Sequence, residues 1–152
     1  VARGLAECRP PKMRMELWEF NGVRLLDDAY NANADSMVVA LQTLRDLPCK
    51  GRRVAVLGDM LELGGQSESL HRQIGVEAAA ADLELLVTVG PQSRFIAATA
   101  RARGMEAGAV IECEDVAGAV AALRDRLKAG DCVLLKASRG MKLESLIEAL
   151  TR

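Results

Sequence analysis

The sequence predicts an α/β fold: a mostly parallel sheet with helices on both faces and an antiparallel hairpin at one edge. Three observations predict it. Short, mostly apolar runs at 54–58, 83–89 and 131–136 are what parallel strands buried on both faces require. Segments with apolar residues at helical spacing lie between them, and strands alternating with helices build a parallel sheet. Near the start, Asn21-Gly22 separates two strand-like stretches, which is the signal for a two-residue hairpin.

In chain order, residues 1–12, through Pro10-Pro11, read as an interdomain linker, and 13–152 as the domain. From Met13 to Phe20 the pattern alternates, with Met13, Met15, Leu17 and Glu19 on one side of a half-exposed strand. Val23 to Asp28 is its partner, entering the core. Asn33, Asp35 and Ser36 are helix N-cap types. Met37, Val38, Ala40, Leu41, Leu44 and Leu47 keep a helical period up to Pro48, which stops the helix. After the strand at 54–58, Gly64-Gly65 breaks the chain, and Ser67 or Ser69 caps a helix to about Ala81. Leu83–Val89 is a strand closed by Gly90-Pro91. Ser93 opens a helix ending near Gly104, and Val110-Ile111 is a short strand. Asp115 caps a helix to about Leu127, with Gly130 just beyond it. The strand 131–136 and an amphipathic helix 141–150 complete the pattern.

Composition narrows function. Half of the 152 residues are hydrophobic and 27% are charged, as in a globular domain. The net charge of −1 argues against general nucleic-acid binding, which needs a basic surface, and 3% aromatics argue against a base-stacking platform. No apolar run reaches the roughly 18–20 residues of a membrane span. Cys8, Cys49, Cys113 and Cys132 form no C-x-x-C pair and a single histidine accompanies them, so a zinc site of usual spacing is not expected, nor any metal site. Reduced cysteines and a cytoplasmic location are expected, with Cys132 as a small core residue. The start at Val1, without an initiator methionine or a signal peptide, suggests a fragment of a longer protein.

In open parallel sheets, ligands meet the loops at the carboxyl ends of strands. Those loops are polar here: Asp27, Asp28, Tyr30, Asn31 and Asn33 after one strand; Asp59 and Glu62 after the next; Lys136, Ser138 and Arg139 after the last. Each residue also has a plainer role open to it. Asp28 and Asn33 can cap the following helix, Asp59 can close an Asx turn, and Lys136 can snorkel from a strand end. His71 reads as a surface or boundary residue more than a catalyst, Trp18 as packing or interface, and Glu144 and Glu148 as a solvated helix face. The plainer roles do not explain the concentration at one edge. No G-x-x-x-x-G-K-[ST] phosphate loop, no G-x-G-x-x-G turn and no nucleophile elbow occurs.

Three blocks carry a family resemblance. Asp27-Asp28-Ala29-Tyr30-Asn31-Ala32-Asn33-Ala34-Asp35-Ser36-Met37 resembles the D-D-x-Y-N-A-N-P-x-S-M signature that starts the C-terminal domain of the Mur ligases that add D-alanyl-D-alanine. Val56–Gly64, followed by His71, resembles V-L-G-D-M-x-E-L-G…H. Leu135–Met141 with Leu143-Glu144 resembles K-G-S-R-x-M-x-L-E. Two positions depart: Ala34 stands where the family has proline, and Ala137 where it has glycine before the serine. If that glycine needs a positive φ, alanine strains the turn.

The resemblance implies a Rossmann-like fold and a cytoplasmic enzyme of peptidoglycan synthesis. In that enzyme an N-terminal domain holds UDP-N-acetylmuramoyl-tripeptide, and a central domain carries the phosphate loop and most of the hold on ATP and Mg2+. The C-terminal domain closes over both and helps bind D-alanyl-D-alanine. ATP phosphorylates the peptide carboxylate to an acyl phosphate, and the dipeptide amine displaces phosphate. The roles implied are ATP binding for Asp28, Tyr30, Asn31 and Asn33; dipeptide binding for Asp59, Glu62, Ser138 and Arg139; and catalytic charge stabilisation for Lys136 and Arg139. Its partners are these substrates and its own two other domains, with no nucleic acid and no membrane.

Two other classes fit parts of the pattern. Asp27-Asp28, Asp59 and Lys136 at strand ends echo a phosphoacceptor receiver domain, although the receiver pattern places a further strand between the first acids and the phosphorylated one. A bare interaction domain with no ligand is the third.

Overall fold

The computed structural model describes residues 15–152, so the linker assigned to 1–12, Met13 and Cys8 lie outside the described residues. Among these residues six strands form one sheet: β1 (Glu16–Phe20), β2 (Val23–Asp27), β3 (Arg53–Gly58), β4 (Leu85–Val89), β5 (Val110–Cys113) and β6 (Cys132–Lys136). Their spatial order is β1-β2-β6-β3-β4-β5, with β1 antiparallel to β2 and every other pair parallel. Among the described residues five helices cover it: α1 (Ala34–Asp46), α2 (Ser67–Ala79), α3 (Arg94–Ala102), α4 (Val116–Arg124) and α5 (Ser145–Thr151). The expected fold class is observed, hairpin included.

Strand periodicity sorts the core into two layers. The row Leu26, Leu134, Ala55, Leu86, Val110 runs across five strands and packs under Met37, Leu41 and Leu44 of α1, Ile74 and Ala78 of α2, and Ile96 and Ala100 of α3. The neighbouring row Leu25, Val133, Val54, Leu85 faces the other way, onto Ala119 and Leu123 of α4 and Leu146 and Ile147 of α5. Each fully buried leucine contributes about 2 kcal/mol through removal of apolar surface from water. Cys132 is buried as expected. Burial, with the Cys49 thiol beside it, pushes its pKa up to about 12, so it packs and does not react.

Several boundaries moved for local reasons. β1 begins at Glu16 because Met15 has a left-handed backbone, φ 50°, which no strand accommodates. Asn21 and Gly22 both take positive φ, as a type I′ turn requires. α1 starts at Ala34, one residue after its cap. Asn33 Oδ1 accepts from Ser36 N–H at 2.8 Å, while Ser36 Oγ accepts from Asn33 N–H at 3.0 Å. Ala34 therefore occupies the first helical position, where proline is tolerated but not needed. The last helix is shorter than expected. A 3₁₀ turn at Arg139–Met141 and left-handed Lys142, φ 53°, precede α5.

The amino end of the sheet is stapled by a residue that strand periodicity alone does not single out. Asp131, 2% exposed, accepts from Arg52 N–H at 3.0 Å, Lys128 N–H at 3.0 Å and Arg52 Nη2 at 2.8 Å. Arg52 also donates to the Arg126 carbonyl. Burial alone raises a carboxyl pKa, but the Arg52 guanidinium and the two backbone donors outweigh it and hold Asp131 below the usual range.

Candidate functional site

β6 lies between β2 and β3, so the loops leaving the carboxyl ends of these three strands are neighbours. The residues expected there converge on one rim. Lys136 ends β6 and is 2% exposed. Its ammonium donates to Asp28 Oδ2 at 2.7 Å and to the Asn31 carbonyl at 3.0 Å, with the Asp28 carbonyl at 3.5 Å. Among the described residues this is the one ion pair buried on both sides, with side chains 2% and 10% exposed. Desolvating two charges is costly, and the pair holds because nearly every polar atom of the lysine head is matched. It pins the 28–33 loop to β6, so Lys136 is not a snorkelling surface cation.

The two adjacent aspartates have different fates. Asp27 belongs to the row Asp27, Leu135, Val56, Val87, Ile111, otherwise apolar and turned toward α4 and α5. Burial pushes its pKa up to about 6, against one bond from Ala29 N–H at 3.2 Å; Glu16, Glu144 and Asp28 add to the rise. Glu144 does not sit on a solvated face as expected: its Oε2 is buried and has no hydrogen-bond partner among the described residues. Glu148 is exposed.

Beyond the ion pair, Tyr30 and Arg139 meet, with the guanidinium carbon 5.4 Å from the ring centroid, in cation–π range. Arg139 is exposed, and no carboxylate among the described residues pairs with it. Asn31 and Asn33 are exposed, and their side-chain oxygens accept from loop and helix N–H groups, Asn31 from Ala32 and Asn33 from Ser36. Asp28, Asn31, Asn33 and Lys136, with Met15 and Val39, line a groove of about 440 Å3 beside the start of α1. A larger groove, about 600 Å3, lies at the other end of the sheet around Trp18, Arg24, Lys50 and Gly130. The smaller one holds the convergent polar groups, so it is the candidate site.

The loop after β3 is braced from several directions. Asp59, 2% exposed, accepts from both N–H and Oγ–H of Ser93 at 2.7 Å, across 34 residues of chain instead of within its own turn. Gly90 leaves room for that carboxylate: a Cβ there would lie 2.7 Å from it, and the φ of +108° suits only glycine. The Asp59 carbonyl accepts from Ser138 N–H at 3.0 Å, and Ser138 Oγ accepts from Leu61 N–H at 2.8 Å. Glu62 is exposed, at φ 62°. His71, expected at a surface or boundary, is fully buried on α2. Its Nε2 accepts from Met60 N–H at 3.0 Å, so Nδ1 carries the hydrogen and donates to the Ser67 carbonyl at 2.7 Å. Ala137 is not in the left-handed region, so the expected strain is absent. It packs against Gly58, where a Cβ would come within 2.6 Å of its own.

The structure thus brings all nine expected site residues to one edge. Asp28, Asp59, Lys136 and Ser138 are buried, while Tyr30, Asn31, Asn33, Glu62 and Arg139 reach solvent. Sequence reasoning missed His71 and Ser93 as supports. A lone histidine 11 residues beyond a polar loop was the available signal for the first. The receiver-like alternative is not supported: the Asp59 carboxylate is taken up by Ser93, and Lys136 is paired with Asp28. No group of three or more His, Cys, Asp or Glu among the described residues is arranged to hold a metal ion. No helix among them is long and apolar enough to cross a membrane.

Comparison with known proteins gives the following. The family model described as "Mur ligase, glutamate ligase domain" matches residues 13–139. The UDP-N-acetylmuramoyl-tripeptide–D-alanyl-D-alanine ligase of Bacillus subtilis is 35% identical over 151 residues, covering 99% of this chain and 33% of that protein. Among solved structures, MurF from Acinetobacter baumannii superposes with a TM-score of 0.82 at 27% identity, covering 98% of this chain and 32% of the other. MurF ligase from Thermotoga maritima in complex with ADP gives 0.76 at 28% identity, covering 91% and 30%. The chain spans about a third of the length of the relatives it matches.

Proposed function

The chain belongs to the Mur ligase family, and from that premise we propose that it is the C-terminal domain of a cytoplasmic, ATP-dependent ligase joining D-alanyl-D-alanine to UDP-N-acetylmuramoyl-tripeptide in peptidoglycan synthesis. Residues 1–12 lead in from the preceding domain. The observation that carries this reading is the double bridge at the rim: the buried Asp28–Lys136 pair, and the exposed Arg139 over the half-buried Tyr30 ring, couple the loop after β2 to the loop after β6.

In this reading the buried groups support and the exposed groups act. Lys136 holds the 28–33 loop, and with it Asn31 and Asn33, against the nucleotide. The groove beside α1 is open, lined by the carboxylates of Asp28 and Asp35, the amides of Asn31 and Asn33 and the Lys136 ammonium, and bordered by the amino end of a 13-residue helix, chemistry that suits a ribose edge. That the relative from Thermotoga maritima is in complex with ADP supports nucleotide binding by the full-length enzyme. Mg2+ we assign to the central domain. Arg139 keeps a fork for paired oxygens, either the dipeptide carboxylate or the phosphate displaced from the acyl phosphate. Glu62 offers a carboxylate to the dipeptide ammonium. Asp59 and Ser138 act by fixing the loops that carry these groups.

The test uses the full-length enzyme that contains this chain, with ATP, UDP-N-acetylmuramoyl-tripeptide and D-alanyl-D-alanine, following the pentapeptide product by mass spectrometry and phosphate release by colorimetry. Product is expected from the intact enzyme, and Arg139→Ala lowers kcat/KM about a hundredfold, the size of one lost charge-stabilising contact, with an unchanged melting temperature. Full turnover by Arg139→Ala removes the role given to this rim.

A further inference from the structure

Three large apolar side chains are exposed among the described residues: Trp18, Val39 and Leu61. Trp18 lies on the edge strand, and Val39 borders the groove beside α1. Leu61, 42% exposed, differs because its backbone, and that of the residue before it, is braced from other elements. Its own N–H is bonded to Ser138 Oγ, the preceding N–H to His71 Nε2, and the Asp59 carbonyl to Ser138 N–H. An exposed leucine on a mobile loop needs no explanation. An exposed leucine on a loop held by three bonds from two other elements keeps an apolar surface at a fixed place.

That place is set by Gly140. A Cβ on Gly140 would lie 2.9 Å from Leu61 Cδ1, so the leucine lies across the turn that carries Ser138 and Arg139. Its sequence neighbour is Glu62, exposed at φ 62°. Glu62 follows Leu61 in the chain and Arg139 precedes Gly140, so a carboxylate, an apolar branched side chain and a guanidinium arise from adjoining positions of the rim. Together they complement a short zwitterion with small apolar substituents: ammonium to Glu62, methyl to Leu61, carboxylate to Arg139.

Resting on the function proposed above, we propose that Leu61 is a specificity-determining residue that reads the methyl groups of the incoming dipeptide. The brace from His71 and Ser138 fixes that apolar contact in place before the substrate arrives.

The experiment compares the full-length ligase with its Leu61→Ala and Leu61→Met variants, using D-alanyl-D-alanine and its methyl-free counterpart glycyl-glycine. Leu61→Ala is expected to raise KM for D-alanyl-D-alanine about tenfold, the scale of a lost small apolar contact. It leaves KM for ATP and for the UDP-tripeptide within twofold, and the penalty is absent with glycyl-glycine. Leu61→Met restores most of the affinity. An unchanged KM for D-alanyl-D-alanine overturns the proposal. So does a parallel rise in KM for all three substrates, which makes Leu61 a contact between domains. If the unaltered full-length enzyme makes no product with D-alanyl-D-alanine, the function itself fails and this inference with it; if it does and only the Leu61 variants behave as wild type, the inference alone fails.

Discussion

The two ends of the sheet each hold a buried acid bound to a cation, yet they do different things. At the amino end, Asp131 gathers Arg52 and two backbone N–H groups, and every partner lies between packed strands and turns. At the carboxyl end, Asp28 and Lys136 are bonded as tightly, but the loop they pin carries Tyr30, Asn31 and Asn33, and the strand that bears Lys136 runs on to Arg139. Charge pairing in a core therefore does not mark function. What marks it is whether the pinned segment ends in groups turned to solvent.

Breaking each end should separate the two kinds of pair. The largest effect is expected for Lys136→Met, which leaves the Asp28 carboxylate buried without its partner and costs about 4 kcal/mol of stability. Urea unfolding reads that loss, and ligation by the remaining folded enzyme falls with it. Asp131→Ala should cost about 3 kcal/mol, reduced because the Arg52 side chain is 36% exposed. The activity per folded molecule is unchanged, which active-site titration beside unfolding curves shows.

The smallest change sharpens the comparison through pH. Asp27 has its carboxyl raised from 3.8 to about 6 by burial. Between those values the folded chain keeps a proton that the unfolded chain has released, so this group's contribution to stability falls as pH rises through the window, and the cost is complete above about 6. Asp131 runs the other way, since its lowered pKa adds stability that is lost as pH falls through the folded value. Asp27→Asn keeps the oxygen that accepts from Ala29 and is expected to gain about 2 kcal/mol at pH 7.5 and nothing near pH 3. Unfolding midpoints of both proteins across that range check the sign.

Much of this was legible in sequence. The strands at 53–58, 85–89 and 132–136 follow from mostly apolar runs, and the caps at Asn33 and Asp115 from residue type and spacing. The edge at which the polar loops gather follows from the parallel sheet. What stayed hidden depends on partners distant in sequence. Asp59 is bonded to Ser93, 34 residues away, and Asp131 to Arg52, 79 residues away; no local pattern encodes either. Glu144 looked solvated because helical spacing puts it on one face with Glu148, but α5 begins at Ser145 and leaves Glu144 at its N-cap, outside that face. Whether a polar residue at the rim supports or touches ligand is decided by burial, which only the packed molecule reveals.

The position of β6 has a consequence for how the domain comes into being. This last strand lies between β2 and β3, bonded to both, and more than a hundred residues separate Arg24 from its partner Cys132. A chain emerging from the ribosome cannot join its first hairpin to the rest of the sheet until residue 136 has left the exit tunnel. Because Lys136 and Arg139 arrive on that same segment, the candidate site is completed by the same late event that closes the core, and a nascent chain cut short of it carries neither.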